Sequence, residues 1–403
     1  MKKYFKYIIF FFIPVLAIGQ VEQMGQMEKQ SNEGEQFVVD SIQSLVPVSK
    51  LSLLKDVNFI FNTRFAFGST FFDGNHTISK YNVDQFRFEI KGRIHKQVRF
   101  RFRDRYTRTP EVGNLDNVNR SIDLAFITID LTHNTNLAVG KLVADFGGWE
   151  FDMNPINILA YNDIVGNSDN FLVGGEISHA FKDQLNSLSF QILNSRTNTF
   201  EEQYGVTAPP NIKASEYPLA FVANWRGSFF NKKIETTYSY SFFSEAKGIG
   251  MNYIALGNKF KTKNFNLYYD FQYSQEGLDR RKIVSNIINS QYQYAAENAV
   301  YLGHWVRAGY LIKPKINLLL TLMTTSFYWK DNPDPNGKSK LAASYGIIPT
   351  IEYLPFKRFN MKFYVGYVAR NYNYTSYAET AFGVKDYTTA LLSFGVIAPI
   401  LLL

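Results

Sequence analysis

The chain has 403 residues, enough for two or three ordinary soluble domains or for one large closed sheet. Aromatics make up 16% of it, with 36 Phe and 26 Tyr, yet a mean hydropathy of -0.18 is too polar for a bundle of membrane helices. The absence of cysteine excludes a disulfide framework and any thiolate chemistry, and a formal charge of +8 is too small to argue for nucleic acid.

The first residues, "MKKYFKYIIFFFIPVLAIGQ", place Lys2, Lys3 and Lys6 before an apolar run from Tyr7 to Ile18 and the small residues Ala17 and Gly19. This is the three-part layout of a secretory signal peptide, residues 1–19, with cleavage after Gly19. Its removal takes three lysines, so the charge falls from +8 to +5. Residues 20–57 are Gln/Glu-rich and read as a partly disordered periplasmic extension. After the leader no run reaches the roughly 18 apolar residues of a spanning helix.

From Asn58 the texture changes. In "NFIFNTRFAFGSTFF", Phe59, Phe61, Phe65, Phe67 and Phe71 alternate with Asn58, Asn62, Arg64, Gly68 and Thr70, the period of a long amphipathic strand. The same period predicts strands at 58–72, 82–95, 98–107, 121–132, 135–142, 171–181, 185–194, 218–228, 232–243, 249–260, 263–274, 299–312, 315–329, 339–354, 358–371 and 388–401. Many approach the roughly nine to eleven tilted residues that cross a bilayer as β-structure. The joins alternate: tight turns such as "HKQ", "KDQ", "FNKK", "KTKN" and "IKPK", then mostly long connections at 73–81, 107–120, 143–170, 195–217, 275–298, 330–338 and 372–387, with 244–248 short. Such sorting is that of an all-β transmembrane antiparallel barrel of about sixteen strands, with short periplasmic turns and long external loops. Tyr and Phe near strand ends, as in "YSYSFF" and "FYVGYVARNYNY", agree with interfacial girdles, although aromatics also favour strands generally.

Residues 58–403 thus form one barrel domain, and its solvent geometry is inverted, with lipid outside and water in the lumen. In "VRFRFRDRY", Arg99, Arg101, Arg103 and Arg105 alternate with Phe100 and Phe102, so the arginines line the pore. The strand before adds Arg87, Lys91 and Arg93, with Glu89 among them, and Arg64 points the same way. A one-residue slip would place these charges on lipid at about 2–4 kcal/mol each. Asp104 is the misfit, sharing the phenylalanine parity. The longest connection, "VADFGGWEFDMNPINILAYNDIVGNSDN", carries Asp145, Glu150, Asp152, Asp163 and Asp169 but no Lys or Arg. Its apolar residues Phe146, Trp149, Phe151, Ile156, Ile158 and Leu159 favour an inward-folded third loop, an acidic constriction opposite the basic wall.

With the exported start, "VRFRFRDRYTR", "VGKLVADFGGWEFDMNPIN" and the strand plan on the page, the chain resembles the phosphate-selective porin O and P family, particularly its Bacteroidota members. The resemblance implies a sixteen-stranded, usually homotrimeric outer-membrane channel whose lumen arginines guide anions. Two departures stand out: the acidic loop argues against strict phosphate selectivity, and the chain ends "VIAPILLL" rather than on an aromatic residue.

Other classes find less support. A barrel enzyme needs a nucleophile, a base and an orienting group, but His76, His95, His133, His179 and His304 are scattered and no HExxH or phosphate-binding glycine loop appears. No cofactor or metal motif is present, and the spacing of Asp145, Glu150 and Asp152 matches no Ca²⁺ loop. A non-conducting surface barrel for adhesion or scaffolding would need a plug, for which only the N-terminal extension offers itself. The expectation is a passive diffusion channel for small hydrophilic solutes that favours anions, with outer-membrane lipid around it.

Overall fold

The computed structural model describes residues 57–402, apart from 110, 112–114, 183 and 358. The expected leader and extension therefore lie outside the described residues, except Val57, which opens the first strand. In chain order the strands are β1 Val57–Phe72, β2 Asn75–His95, β3 Val98–Arg105, β4 Ile122–Asp130, β5 Thr135–Val143, β6 Phe171–Ala180, β7 Asn186–Asn194 and β8 Leu219–Phe229. They continue with β9 Ile234–Ala246, β10 Ile249–Lys261, β11 Phe265–Leu278, β12 Glu297–Lys313, β13 Ile316–Trp329, β14 Lys340–Tyr353, β15 Lys362–Tyr374 and β16 Tyr387–Leu401. Each pairs antiparallel with its neighbours in sequence, and β1 closes on β16 from Ile60↔Leu401 to Phe72↔Thr389. Closure leaves no unpaired strand edge, the condition for a sheet to stand in hydrocarbon.

Alternation sets the two faces. On β13, Leu318, Leu320 and Leu322 are 37%, 39% and 41% exposed, while Leu319 and Thr321 between them are 7% and 6%. Phe363, Val365 and Tyr367 on β15 and Phe221 on β8 continue this outer apolar face. Replacing Leu322 by Arg is expected to destabilise the protein by about 2–4 kcal/mol, measured by denaturant unfolding from lipid vesicles. Unchanged stability would mean that this face meets water.

One rim carries short turns and the other most of the long connections, with one difference from expectation. The stretch 73–81 is not a loop: β2 begins at Asn75, and the turn is Asp73-Gly74, with φ of 46° and 78°. Those positive values suit a two-residue hairpin matched to strand twist. Residues 75–81 are exposed throughout, with Ser69 and Ser79 hydroxyls 2.8 Å apart. Both faces of that tip meet water, so no apolar alternation marked it as strand.

Four long connections carry short helices: α1 Trp149–Asp152 and α2 Asp163–Gly166 in 144–170, α3 Phe200–Tyr204 in 195–218, α4 Ile283–Ile288 in 279–296, and α5 Ser376–Phe382 in 375–386. The main apolar core unites Phe146, Ile164, Val284, Ile287 and Phe382 of these connections with Phe243, Tyr253, Tyr301 and Trp329 of the strands. This core concentrates on β5–β14. The inner face of β1–β3 is polar and charged.

Candidate functional site: a charged inner wall

The expected basic residues of β1–β3 occupy one wall and are largely paired within it. Nearest the short-turn rim, Asp130 accepts from Arg93 at 3.1 Å and from Arg99 at 2.6 Å. Above them Glu89 accepts from Arg101 at 2.9 Å and lies 4.0 Å from Arg103, while Lys91 has no ion pair among the described residues. Toward the other rim, Asp123 is a hub: Arg87 stands 3.5 Å away, Arg103 3.3 Å, and Arg105 donates to it closely. The Phe171 ring lies 5.2 Å from the Arg103 guanidinium carbon and 5.9 Å from that of Arg105. Arg64 sits 3.4 Å from Asp84.

Seven of the eight cations thus meet four carboxylates, Asp84, Glu89, Asp123 and Asp130, and with Lys91 counted the wall has an excess of four positive charges. Arg108, just beyond β3, adds a fifth; it has no ion pair among the described residues, and burial followed by the neighbouring Arg105 lowers its pKa. Asp104 stands opposite Phe88 on the outer parity, with one carboxylate oxygen lacking a hydrogen-bond partner among the described residues.

The acids of 144–170 make no ion pair with this wall among the described residues and pair with other arginines. Asp145 accepts from Arg226 of β8 at 2.5 Å and Ser189 at 2.7 Å, and Asp152 pairs with the same Arg226. Asp163 accepts from Arg370 of β15 at 2.7 Å and from Tyr372 at 3.1 Å. Apolar packing accompanies each pairing: Met153 and Ile158 sit with Tyr268, Trp305, Met323, Ile348 and Val368 on the side of Arg370, and Phe146 sits with Phe243 and Tyr253 on the side of Arg226. Arg64 makes the one link from the basic wall, donating to the carbonyls of Ile156 at 3.1 Å and Ile158 at 2.6 Å.

Glu150 has no cation partner within ion-pair distance among the described residues. It is 0% exposed, accepts from the Asn162 amide at 2.6 Å and from Gln272 at 3.3 Å, and burial pushes its carboxyl up to about 8. Asp270 of β11 accepts the Trp149 and Glu150 amides at 2.9 and 2.7 Å. Gly148 is required here, since a Cβ on it would stand 2.5 Å from the Asp270 carboxylate.

Sequence reasoning missed Asp123, Asp130, Arg108, Arg226 and Arg370. Arg226 and Arg370 carried a usable signal, because each alternates with outward residues such as Phe221 and Trp225, or Val365 and Tyr367. Asp123 carried none: a register shift opposite Arg103/Asp104 displaces it from the strand's parity. Among the described residues no group of His, Cys, Asp or Glu is placed to hold a metal ion.

A closed sixteen-stranded barrel with an apolar exterior and a charged interior defines an outer-membrane channel-type protein. The model of the family described as phosphate-selective porin O and P matches residues 61–394, and the chain belongs to that family. Three solved structures share the fold. The outer membrane channel DcaP of Acinetobacter baumannii aligns at 12% identity and a TM-score of 0.58, over 86% of this chain and 97% of that one. The anion-selective porin from Comamonas acidovorans aligns at 10% and 0.54, over 85% and 99%. Salmonella typhi OmpF aligns at 14% and 0.52, over 84% and 97%. No curated protein matches by sequence.

Proposed function

We propose that this porin is an anion-favouring diffusion channel for small hydrophilic solutes, working as a homotrimer in the outer membrane. The observation that carries the reading is the excess of positive side chains on the inner face of β1–β3, where Arg93, Arg99, Arg101 and Arg105 keep 36%, 28%, 17% and 22% side-chain exposure. A low-dielectric wall focuses their field, raises the local anion concentration and disfavours cations. Pairing to Glu89, Asp123 and Asp130 holds the guanidiniums in place and moderates their affinity, which lets a captured anion leave.

In this reading segment 144–170 folds into the lumen and narrows it. Its hydrogen bonds to Arg64, Arg226, Asp270, Arg307 and Arg370, drawn from five strands around the wall, support that placement. The water path then runs along β1–β4. Phosphate is one anion among those admitted, and the wall's own carboxylates argue against strict selectivity for it. Liposome swelling is the test: vesicles holding the protein should admit small anions faster than neutral solutes of equal size. Equal rates would remove the anion preference, and no swelling would favour a non-conducting barrel.

Three of the histidines meet hydroxyls among the described residues. His76 stands 2.8 Å from the exposed Ser79, His179 2.9 Å from Thr135, and His304 3.0 Å from Tyr269 on the outer face, each without a carboxylate completing a triad among the described residues.

A further inference from the structure

The buried carboxyls at the root of α1 are not explained by solute passage. Glu150 and Asp270 are both 0% exposed and neither lies within ion-pair distance of a cation among the described residues. Asp270 spends its oxygens on two amides of the segment, those of Trp149 and Glu150, at 2.9 and 2.7 Å. Glu150 accepts one amide, from Asn162, so it ties the start of the segment to its middle. Its other oxygen faces the Gln272 side chain at 3.3 Å, while the Gln272 carbonyl oxygen has no partner among the described residues.

The fit is tight from both sides. A Cβ on Gly148 would stand 2.5 Å from the Asp270 carboxylate, and one on Gly257 of β10 2.7 Å. The charged and titratable groups around the pair are few. Asp152 on α1 is occupied by Arg226 of β8, Arg370 of β15 by Asp163, and Lys259 of β10 lies over the Trp149 ring at 4.9 Å and pairs with Glu235 at 2.8 Å. Tyr253 of β10 and Tyr161 of the segment also face Glu150.

We propose that Glu150 and Asp270 form a proton-dependent latch that seats segment 144–170 against the barrel wall and so couples the width of the passage to pH. The inference rests on the channel reading above. A burial-raised carboxyl binds its proton in the seated state and releases it on exposure, so seating is favoured at low pH. That advantage is lost as pH rises from the ordinary value of 4.5 to about 8, and no more is lost above it. Within the window the Glu150 proton alone lowers the seated-to-unseated ratio by up to about tenfold per pH unit.

Single-channel conductance of the full-length protein in planar bilayers, followed from about pH 5 to pH 9, tests the latch. The wild type should widen with pH and level off. Glu150→Gln, which cannot ionise, should respond to pH less steeply than the wild type and stay nearer the low-pH conductance. Gly148→Ala, which pushes a methyl group into Asp270 without changing charge, should show the high-pH conductance throughout. A flat wild-type profile, or a Glu150→Gln variant that follows the wild type, overturns the latch and leaves the channel intact. Absence of conductance steps at every pH overturns the channel reading itself.

Discussion

Replacing Glu245 by alanine should destabilise the protein by about 3–5 kcal/mol, because it strips the shared acid from two buried guanidiniums. Glu245 closes β9 and is 0% exposed; it lies 2.7 Å from Arg280, 3.4 Å from Arg196 and 3.3 Å from the Tyr204 hydroxyl. Those partners come from two connections, 195–218 and 279–296, so one carboxylate holds both against the barrel end. Without it, Arg196, at 3% side-chain exposure, keeps its charge beside Phe200, and Arg280, at 7% and beside Phe243, keeps only Asp169 at 3.9 Å. Urea unfolding in vesicles measures the loss, and Glu245→Gln should retain part of the shape and hydrogen bonding. A loss below about 0.5 kcal/mol, the size of an ordinary surface substitution, would show that the cluster is solvated.

Selectivity should respond most to the triple replacement of Arg99, Arg101 and Arg105 by serine. These three keep contact with water, and their loss reduces the wall's excess of four positive charges to one. The chloride-to-potassium permeability ratio should fall on the order of tenfold, the lower end of what a focused field supplies. The barrel should survive, since serine is accepted on a polar inner face and the outer belt is untouched. Arg64→Ser would be a poorer probe of the same idea, because Arg64 also holds the carbonyls of Ile156 and Ile158.

The strands were legible because lipid on one side and water on the other impose a strict period of two, and a bilayer imposes a minimum length. The segment predicted at 58–72 is β1, Val57–Phe72, and 315–329 is β13, Ile316–Trp329. Errors gather where that contrast fades. Strand β9 runs past 243 to Ala246, and β11 past 274 to Leu278, near the rim, where both faces carry polar residues. The orientation of the arginine ladder was readable from the same parity. Its neutralisation was not: Asp123 leaves the parity at a bulge, and which acid meets which arginine depends on neighbouring strands. The docking of 144–170 was opaque for a related reason. Its apolar residues announce that the segment is buried, but their partners Trp305, Met323 and Ile348 lie far along the chain and face inward on strands that look like any others. Which arginines its acids meet, Arg226 and Arg370, was not readable for the same reason.

The reversal potential of the purified protein in a planar bilayer under a KCl gradient decides whether the charged wall of β1–β3 makes this barrel a channel for anions. Stepwise conductance with a potential on the chloride side is the predicted result. A potential on the potassium side would contradict it, showing that the carboxylates, not the arginine excess, govern the path.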